Sequence, residues 1–172
     1  MLQDDPLQTY GARAVQALLS SELVPQRFSP AEQHVLALLL DDYSNVAIAL
    51  ARATSPRTVA NQIASLLRKV GLCSRAELIA WVADILPPDI RCDWSRRLAL
   101  LLAVGEPAFT PRVRQAISLR ARGHSVKFIS YELGVAPSTV SAELKAAMRR
   151  LEIRSSLELC ALFGPARATA AA

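Results

Sequence analysis

The chain has 172 residues, 52% hydrophobic and 20% charged, a balance that fills one sizeable core or two small ones and excludes a disordered polymer. Its 20 Lys/Arg against 15 Asp/Glu give a formal charge of +5, which suits a polyanionic partner without requiring one. The longest apolar run, Leu98 to Val104, is too short to cross a bilayer, and MLQDDPLQTYG lacks the apolar stretch of a leader, so the expectation is a cytoplasmic protein with no membrane partner.

Helix formers dominate, aromatics are 5%, and no run alternates apolar and polar residues with β-branched enrichment, so the fold class expected is all-α. Cys73, Cys92 and Cys160 form no CxxC pair and sit in or beside apolar helical stretches, as reduced, partly buried thiols do. His34 and His124 have no Cys, Asp or Glu at ligand spacing. No metal, no cofactor and no enzymatic activity are expected.

In chain order, an N-terminal segment (1–27) holds one helix from Leu7 to Leu23. FSPAEQHVLALLL then begins at Phe28, and FTPRVRQAISLRA at Phe109 is its counterpart. A constant offset of 81 residues, from Phe28 to Phe109, superposes Ser44 on Ser125, Ile48 on Ile129, Pro56 on Pro137, Thr58-Val59 on Thr139-Val140 and Glu77-Leu78 on Glu158-Leu159. Pro, Thr and Ser would not stay in place by chance between two Ala/Leu-rich segments, so the chain carries an internal duplication. Copy one occupies 28–85 and copy two 109–164. Between them a linker (86–108) breaks at Pro87-Pro88-Asp89 before a helix from Ile90 to Val104, and the end (165–172) reads as a flexible tail.

Each copy divides into four helices. Ser29 or Thr110 caps the first, with Pro30 or Pro111 at its first position, and Ser44 or Ser125 caps a short second helix through Arg52 or Leu133. Ser55-Pro56 or Ala136-Pro137 opens the third, and Ser74 or Ser155 caps the fourth. On the third helix Val59, Ile63, Leu66, Leu67 and Val70 recur at three- and four-residue spacing, as do Val140, Leu144, Ala147, Met148 and Leu151. The opposite face is polar, with Arg57, Thr58 and Asn61 in copy one and Ser138, Thr139, Ser141 and Lys145 in copy two.

This succession is a helix-turn-helix, whose last helix can enter the major groove. Phe28-Ser-Pro-x-Glu32, Val35-Leu36-x-Leu38-Leu39, Ser44-Asn45-x-x-Ile48-Ala49, Ser55-x-x-Thr58-Val59 and Ser74-Arg75-Ala76-Glu77-Leu78 resemble the LuxR-type (GerE, NarL/FixJ) DNA-binding domain. Copy two resembles it more distantly, through Gly123, Ile129, Leu133-Gly134-Val135, Thr139-Val140 and Ser155. The resemblance implies two tandem four-helix domains, each preceded by an extra helix, that read double-stranded DNA through the third helix and pair through the fourth. The DNA-contacting residues it implies are Ser55, Arg57, Thr58 and Asn61 in copy one, and Lys127, Ser138, Thr139, Ser141, Lys145 and Arg149 in copy two. Leu78, Trp81 and Val82 are the implied seam, either of a homodimer or between the repeats, with packing of this apolar helix against the Trp94/Leu98/Leu101 helix as the alternative.

The sequence departs from the family at defined places. Where the family often has Lys and then His after the Thr, the copies have Ala60 and Gln62, and Ser141 and Glu143. Arg52 stands where a core Leu is expected, which implies a local rearrangement or an outward-snorkelling side chain. Charge separates the copies: residues 28–82 hold five Lys/Arg and four Asp/Glu, residues 109–163 nine and four. Arg112, Arg114, Arg120 and Arg122 either bind phosphate or solvate a helix face. Two functions fit best: a transcription regulator reading an asymmetric or double DNA site with two unequal heads, or an adaptor in which one or both domains hold another regulator or RNA polymerase. A sigma-factor arrangement, which Thr139-Val140 to Leu151 also resembles, fits less well because copy one has the LuxR-type pattern.

Overall fold

The computed structural model describes residues 9–21, 28–86, 88–104 and 108–164, and among these it is helical with no strand. The helices are α1 (Tyr10–Leu19), α2 (Pro30–Leu40), α3 (Asn45–Ala51), α4 (Pro56–Val70), α5 (Arg75–Asp84), α6 (Pro88–Val104), α7 (Pro111–Ala121), α8 (Val126–Leu133), α9 (Pro137–Arg150) and α10 (Ser156–Phe163). Two compact units result, Met1–Leu78 and Ile79–Ala172, with the division falling inside α5.

In the first unit the chain's punctuation acts as its residue types require. The Ser29 side chain accepts the Glu32 N–H, and the Glu32 carboxylate accepts the Ser29 N–H at 2.7 Å, closing a capping box with Pro30 at the first helical position. Glu32 then reaches α4, accepting from Ser65 Oγ at 2.8 Å and Lys69 Nζ at 2.7 Å. Burial pushes this carboxyl up, but the hydrogen bonds from Lys69, Ser29 and Ser65 outweigh it and lower its pKa to about 2.

α1 lies against α2 through buried Ala14, Val15 and Leu18. It starts at Tyr10 because Thr9 Oγ1 accepts the Ala12 N–H at 3.1 Å, and it stops at Leu19, shorter than the expected 7–23. The rest of the expected helix, 7–8 and 22–23, lies outside the described residues. Gly11 permits the close approach: a Cβ there would collide with the Ala37 carbonyl, while the Gly11 N–H donates to Asp41 Oδ1 at 2.9 Å. Burial raises the Asp41 pKa against the hydrogen bonds from Thr9 and Gly11.

The second unit has its own core of Ala116, Ile117, Ile129, Val140, Leu144, Ala147, Leu151, Ile153 and Leu159. α6 packs on α10, with Leu98 and Leu101 against that core and Arg97 paired to the buried Glu158 carboxylate. α6 begins at Pro88 rather than at Ile90, because a proline at the first helical position needs no N–H partner. The tail 165–172 lies outside the described residues.

The duplication is written in the backbone as well. Among the described residues, the non-glycine residues in the left-handed region are Asp42, Ala53 and Glu152, and the glycines there are Gly71, Gly123 and Gly134. At the 81-residue offset these pair as Asp42 with Gly123, Ala53 with Gly134, and Gly71 with Glu152. Each copy therefore turns at the same three places, using a glycine in one copy where the other uses a side-chain-bearing residue.

Candidate nucleic-acid interface

The third helix of each copy presents the expected faces. On α4, Val59, Ile63 and Leu66 are buried while Leu67 and Val70 are half-buried; on α9, Val140, Leu144, Ala147 and Leu151 are buried and Met148 half-buried. Opposite these stripes Arg57, Thr58 and Asn61 are exposed in copy one, as are Ser138, Lys145 and Arg149 in copy two, with Thr139 and Ser141 half-buried. Lys127 is exposed on α8, which packs against α9.

The start of the third helix differs between the copies. Ser55 Oγ accepts the Thr58 N–H at 3.0 Å and lies 2.9 Å from Thr58 Oγ1, so both hydroxyls serve the cap as well as facing solvent. Ala136 gives α9 no side-chain cap, which leaves Thr139 without that partner.

Both positions at which the family often has His are turned to internal use. Gln62 Oε1 accepts from Arg52 Nη1 at 2.5 Å, and Glu143 is paired with Arg112. The Arg52 question is thereby answered: Arg52 ends α3 half-buried, its guanidinium held by α4 of its own domain. The following residue, Ala53, takes the left-handed turn that Gly134 takes in copy two.

Internal partners also sort the cations. In copy one Lys69 pairs with Glu32, Arg52 bonds Gln62, and Arg75 donates to the carbonyls of Leu39 and Tyr43. Arg57 and Arg68 are exposed, with no side-chain partner among the described residues. In copy two Arg112 pairs with Glu143, Arg120 donates to His124 O and Ser156 Oγ, and Arg150 donates to Ala108 O while lying 5.0 Å over the Phe109 ring. Arg114, Arg122, Lys127, Lys145, Arg149 and Arg154 are exposed there without a side-chain partner among the described residues. Of the four α7-region arginines, then, two are tied to the protein and two face solvent.

The second helix carries residues that the sequence reading passed over. Tyr131 is 84% exposed, one turn beyond Lys127 on α8, and the matching positions on α3 are Leu50 at 79% and Val46 at 59%. The signal was present in the offset alignment, since Val46 and Leu50 fall on Lys127 and Tyr131.

Of the expected seam residues, Leu78 and Val82 are fully buried and Trp81 is half-buried. Arg91 donates to the Ala83 carbonyl within the second unit, joining the end of α5 to α6. The thiols also differ from expectation, with Cys73 and Cys92 exposed and only Cys160 buried. Cys73 sits in the loop between α4 and α5, and Cys92 on the solvent side of α6, where the apolar neighbours in sequence point the other way.

Comparison with known proteins matches the chain to the family "Bacterial regulatory proteins, luxR family" over residues 26–82 and again over 107–163. The chain belongs to this luxR family. The two matches overlap the two copies, consistent with a tandem of helix-turn-helix domains, and the family's role is DNA-binding regulation of transcription. No curated protein and no solved structure matches it. No helix among the described residues is long and apolar enough to cross a membrane.

Proposed function

We propose that this luxR-family chain is a sequence-specific regulator that binds an asymmetric or double site with two unequal heads, copy two being the dominant one. The observation that carries the proposal is the exposed row of Lys145 and Arg149 on α9, free of side-chain partners among the described residues and opposite the buried Val140/Leu144/Ala147 stripe. Ser138, Thr139 and Ser141 line the same helix nearer its start, and Lys127 adds a cation from α8. Phosphate contacts of this kind fix register, while side chains that reach base edges give specificity. Copy one brings Arg57, Thr58, Asn61 and the Ser55 cap, a more neutral reading face. Covalent linkage of the two heads raises the effective concentration of the weaker one.

A second reading has one observation behind it. Val46 and Leu50 place apolar surface on α3 where copy two has Lys127 and Tyr131, and an apolar helix face suits a protein partner better than a phosphate backbone. In that reading copy one holds another regulator or RNA polymerase while copy two holds DNA. Binding of the full chain to random genomic fragments, titrated with salt and followed by sequencing of what is retained, tests the first reading. The expected result is retention at low salt with enrichment of a defined site. No retention at low salt would move both copies to the adaptor role.

A further inference from the structure

In the second unit α6, α7, α10 and the end of α9 leave a cavity of about 350 Å³ that the DNA reading does not use. Its floor is Ile117 and Leu151, 6% and 5% exposed and part of the hydrophobic core. Leu102 and Phe163, 39% and 38% exposed, form an apolar mouth. The wall between is the Phe109 ring, which Arg150 holds from outside the cavity's lining by lying 5.0 Å over it.

Two groups on this lining are polar, and both come from one side. Arg114 and Ser118 are a turn apart on α7, and neither side chain bonds to a described residue. A volume within the roughly 300–1,000 Å³ of small-molecule sites, mostly apolar walls and a few convergent polar groups are what a ligand of mixed character needs. The chemistry selects further. A neutral hydrocarbon would make no use of the guanidinium and hydroxyl, and a multiply charged ligand would set its charges against Ile117, Leu151 and Phe109. A single carboxylate on an apolar body satisfies both parts, accepting from Arg114 and Ser118 while the body fills the rest.

We propose that this cavity binds a small apolar carboxylic acid, with its carboxylate on Arg114 and Ser118. Because Leu151 is the residue that ends α9, the acid touches the end of the helix assigned to DNA. The proposal concerns binding of the acid alone and stands whether or not α9 reads DNA.

Titration calorimetry of the full chain with decanoate and, separately, decanol tests it, each ligand kept below its self-association range. Saturable one-to-one binding of decanoate is expected, with decanol weaker. Arg114→Gln, at an exposed position, should weaken decanoate about tenfold, the worth of one charge-assisted hydrogen bond, and leave decanol unchanged. Ser118→Phe, which fills the cavity, should abolish binding of both. Absence of saturable binding, decanol binding as tightly as decanoate, or an Arg114→Gln chain with undiminished decanoate affinity would each overturn the proposal. Should Ser118→Phe fail to fold, the Arg114→Gln comparison still decides it.

Discussion

In copy one Lys69 neutralises Glu32, Arg52 bonds Gln62 and Arg75 closes two carbonyls at the end of α2, which leaves only Arg57 and Arg68 exposed without a side-chain partner among the described residues. In copy two Arg112, Arg120 and Arg150 do similar internal work, yet Arg114, Arg122, Lys127, Lys145, Arg149 and Arg154 remain exposed. The same four-helix plan thus ties cations internally in both copies and differs in how many are left to face solvent. A basic residue joined to a carboxylate or a carbonyl stabilises the fold and contributes little to an external field, whereas an exposed one attracts phosphate at the cost of self-repulsion. Counting Lys and Arg therefore understates the difference between the copies, because it does not separate the two roles.

The largest expected effect lies on the internal side of that comparison. Glu32 is buried, joins α2 to α4 and has no counterpart in copy two, where Val113 stands at the matching position. Glu32→Ala removes the capping-box acceptor and the carboxylate to which Lys69 and Ser65 of α4 bond, and should destabilise copy one by about 3 kcal/mol. Residue-resolved hydrogen exchange reads this copy separately: faster exchange confined to α2 and α4 is expected, and unchanged protection there would refute the network. The pH dependence has a definite sign. A carboxyl lowered from 4.5 to about 2 in the folded state contributes stability that is whole above about pH 4.5 and is lost as the pH falls toward about 2. Protection of α2 and α4 should fall across that window in the native chain and be flatter in Glu32→Gln.

On the external side, Lys145→Ala should cost about 1–3 kcal/mol in DNA affinity and relax preference at one position if Lys145 meets a base edge. Asn61→Ala, the corresponding test of copy one's polar face, should cost less. Mobility shifts with specific and scrambled duplexes at several salt concentrations measure both. Equal losses would erase the proposed dominance of copy two, and no loss from Lys145→Ala would take α9 off the DNA.

A smaller effect is expected on the second helix. Lys127→Ala should lower the slope of log affinity against log salt by about one, with the loss uniform across sequences, as removal of one phosphate contact does. Val46→Lys makes the reciprocal change in copy one and should steepen the slope by about the same amount if α3 approaches the backbone as is proposed for α8. An unchanged slope in Val46→Lys would place α3 away from DNA and favour the protein-partner reading of copy one.

Much of this architecture was legible because the chain marks its helix starts chemically. Ser29-Pro30, Ser44, Ser55-Pro56, Thr110-Pro111 and Ser125 all cap the helices they were expected to cap, since a hydroxyl before a helix has one strongly preferred use. The periodic stripes on α4 and α9 likewise identified the exposed faces, because burial of one face forces the other outward. What was not legible depends on pairs distant in sequence. Nothing local reveals that Arg52 finds Gln62, that Arg112 finds Glu143, or that Glu32 reaches across to Lys69. The apolar fourth helix is ambiguous in a related way: a surplus of apolar residues suits a dimer seam, a contact between repeats and burial inside one chain alike, and Leu78 and Val82 are buried. Exposure of Tyr131 and Leu50 was hidden for a similar reason, since a large apolar or aromatic residue on a short helix reads first as core.

The smallest expected effect concerns the turn between the two helices of the motif. Gly134 closes α8 with φ of 63°, and Ala53, at the matching place after α3, has φ of 48°. For a residue with a Cβ this region costs roughly 1–2 kcal/mol, a cost glycine avoids while losing more freedom on folding. Ala53→Gly should therefore stabilise copy one modestly, by about 0.5–1 kcal/mol, and Gly134→Ala should destabilise copy two by about the same amount, since a Cβ at Gly134 meets no atom within contact distance and only the backbone term remains. Thermal melting of both variants checks the signs. If Ala53→Gly instead weakened the chain, the turn in copy one would have to differ from its counterpart, and the backbone equivalence of the two helix-turn-helix motifs would fail at the place where Arg52 replaces the expected leucine.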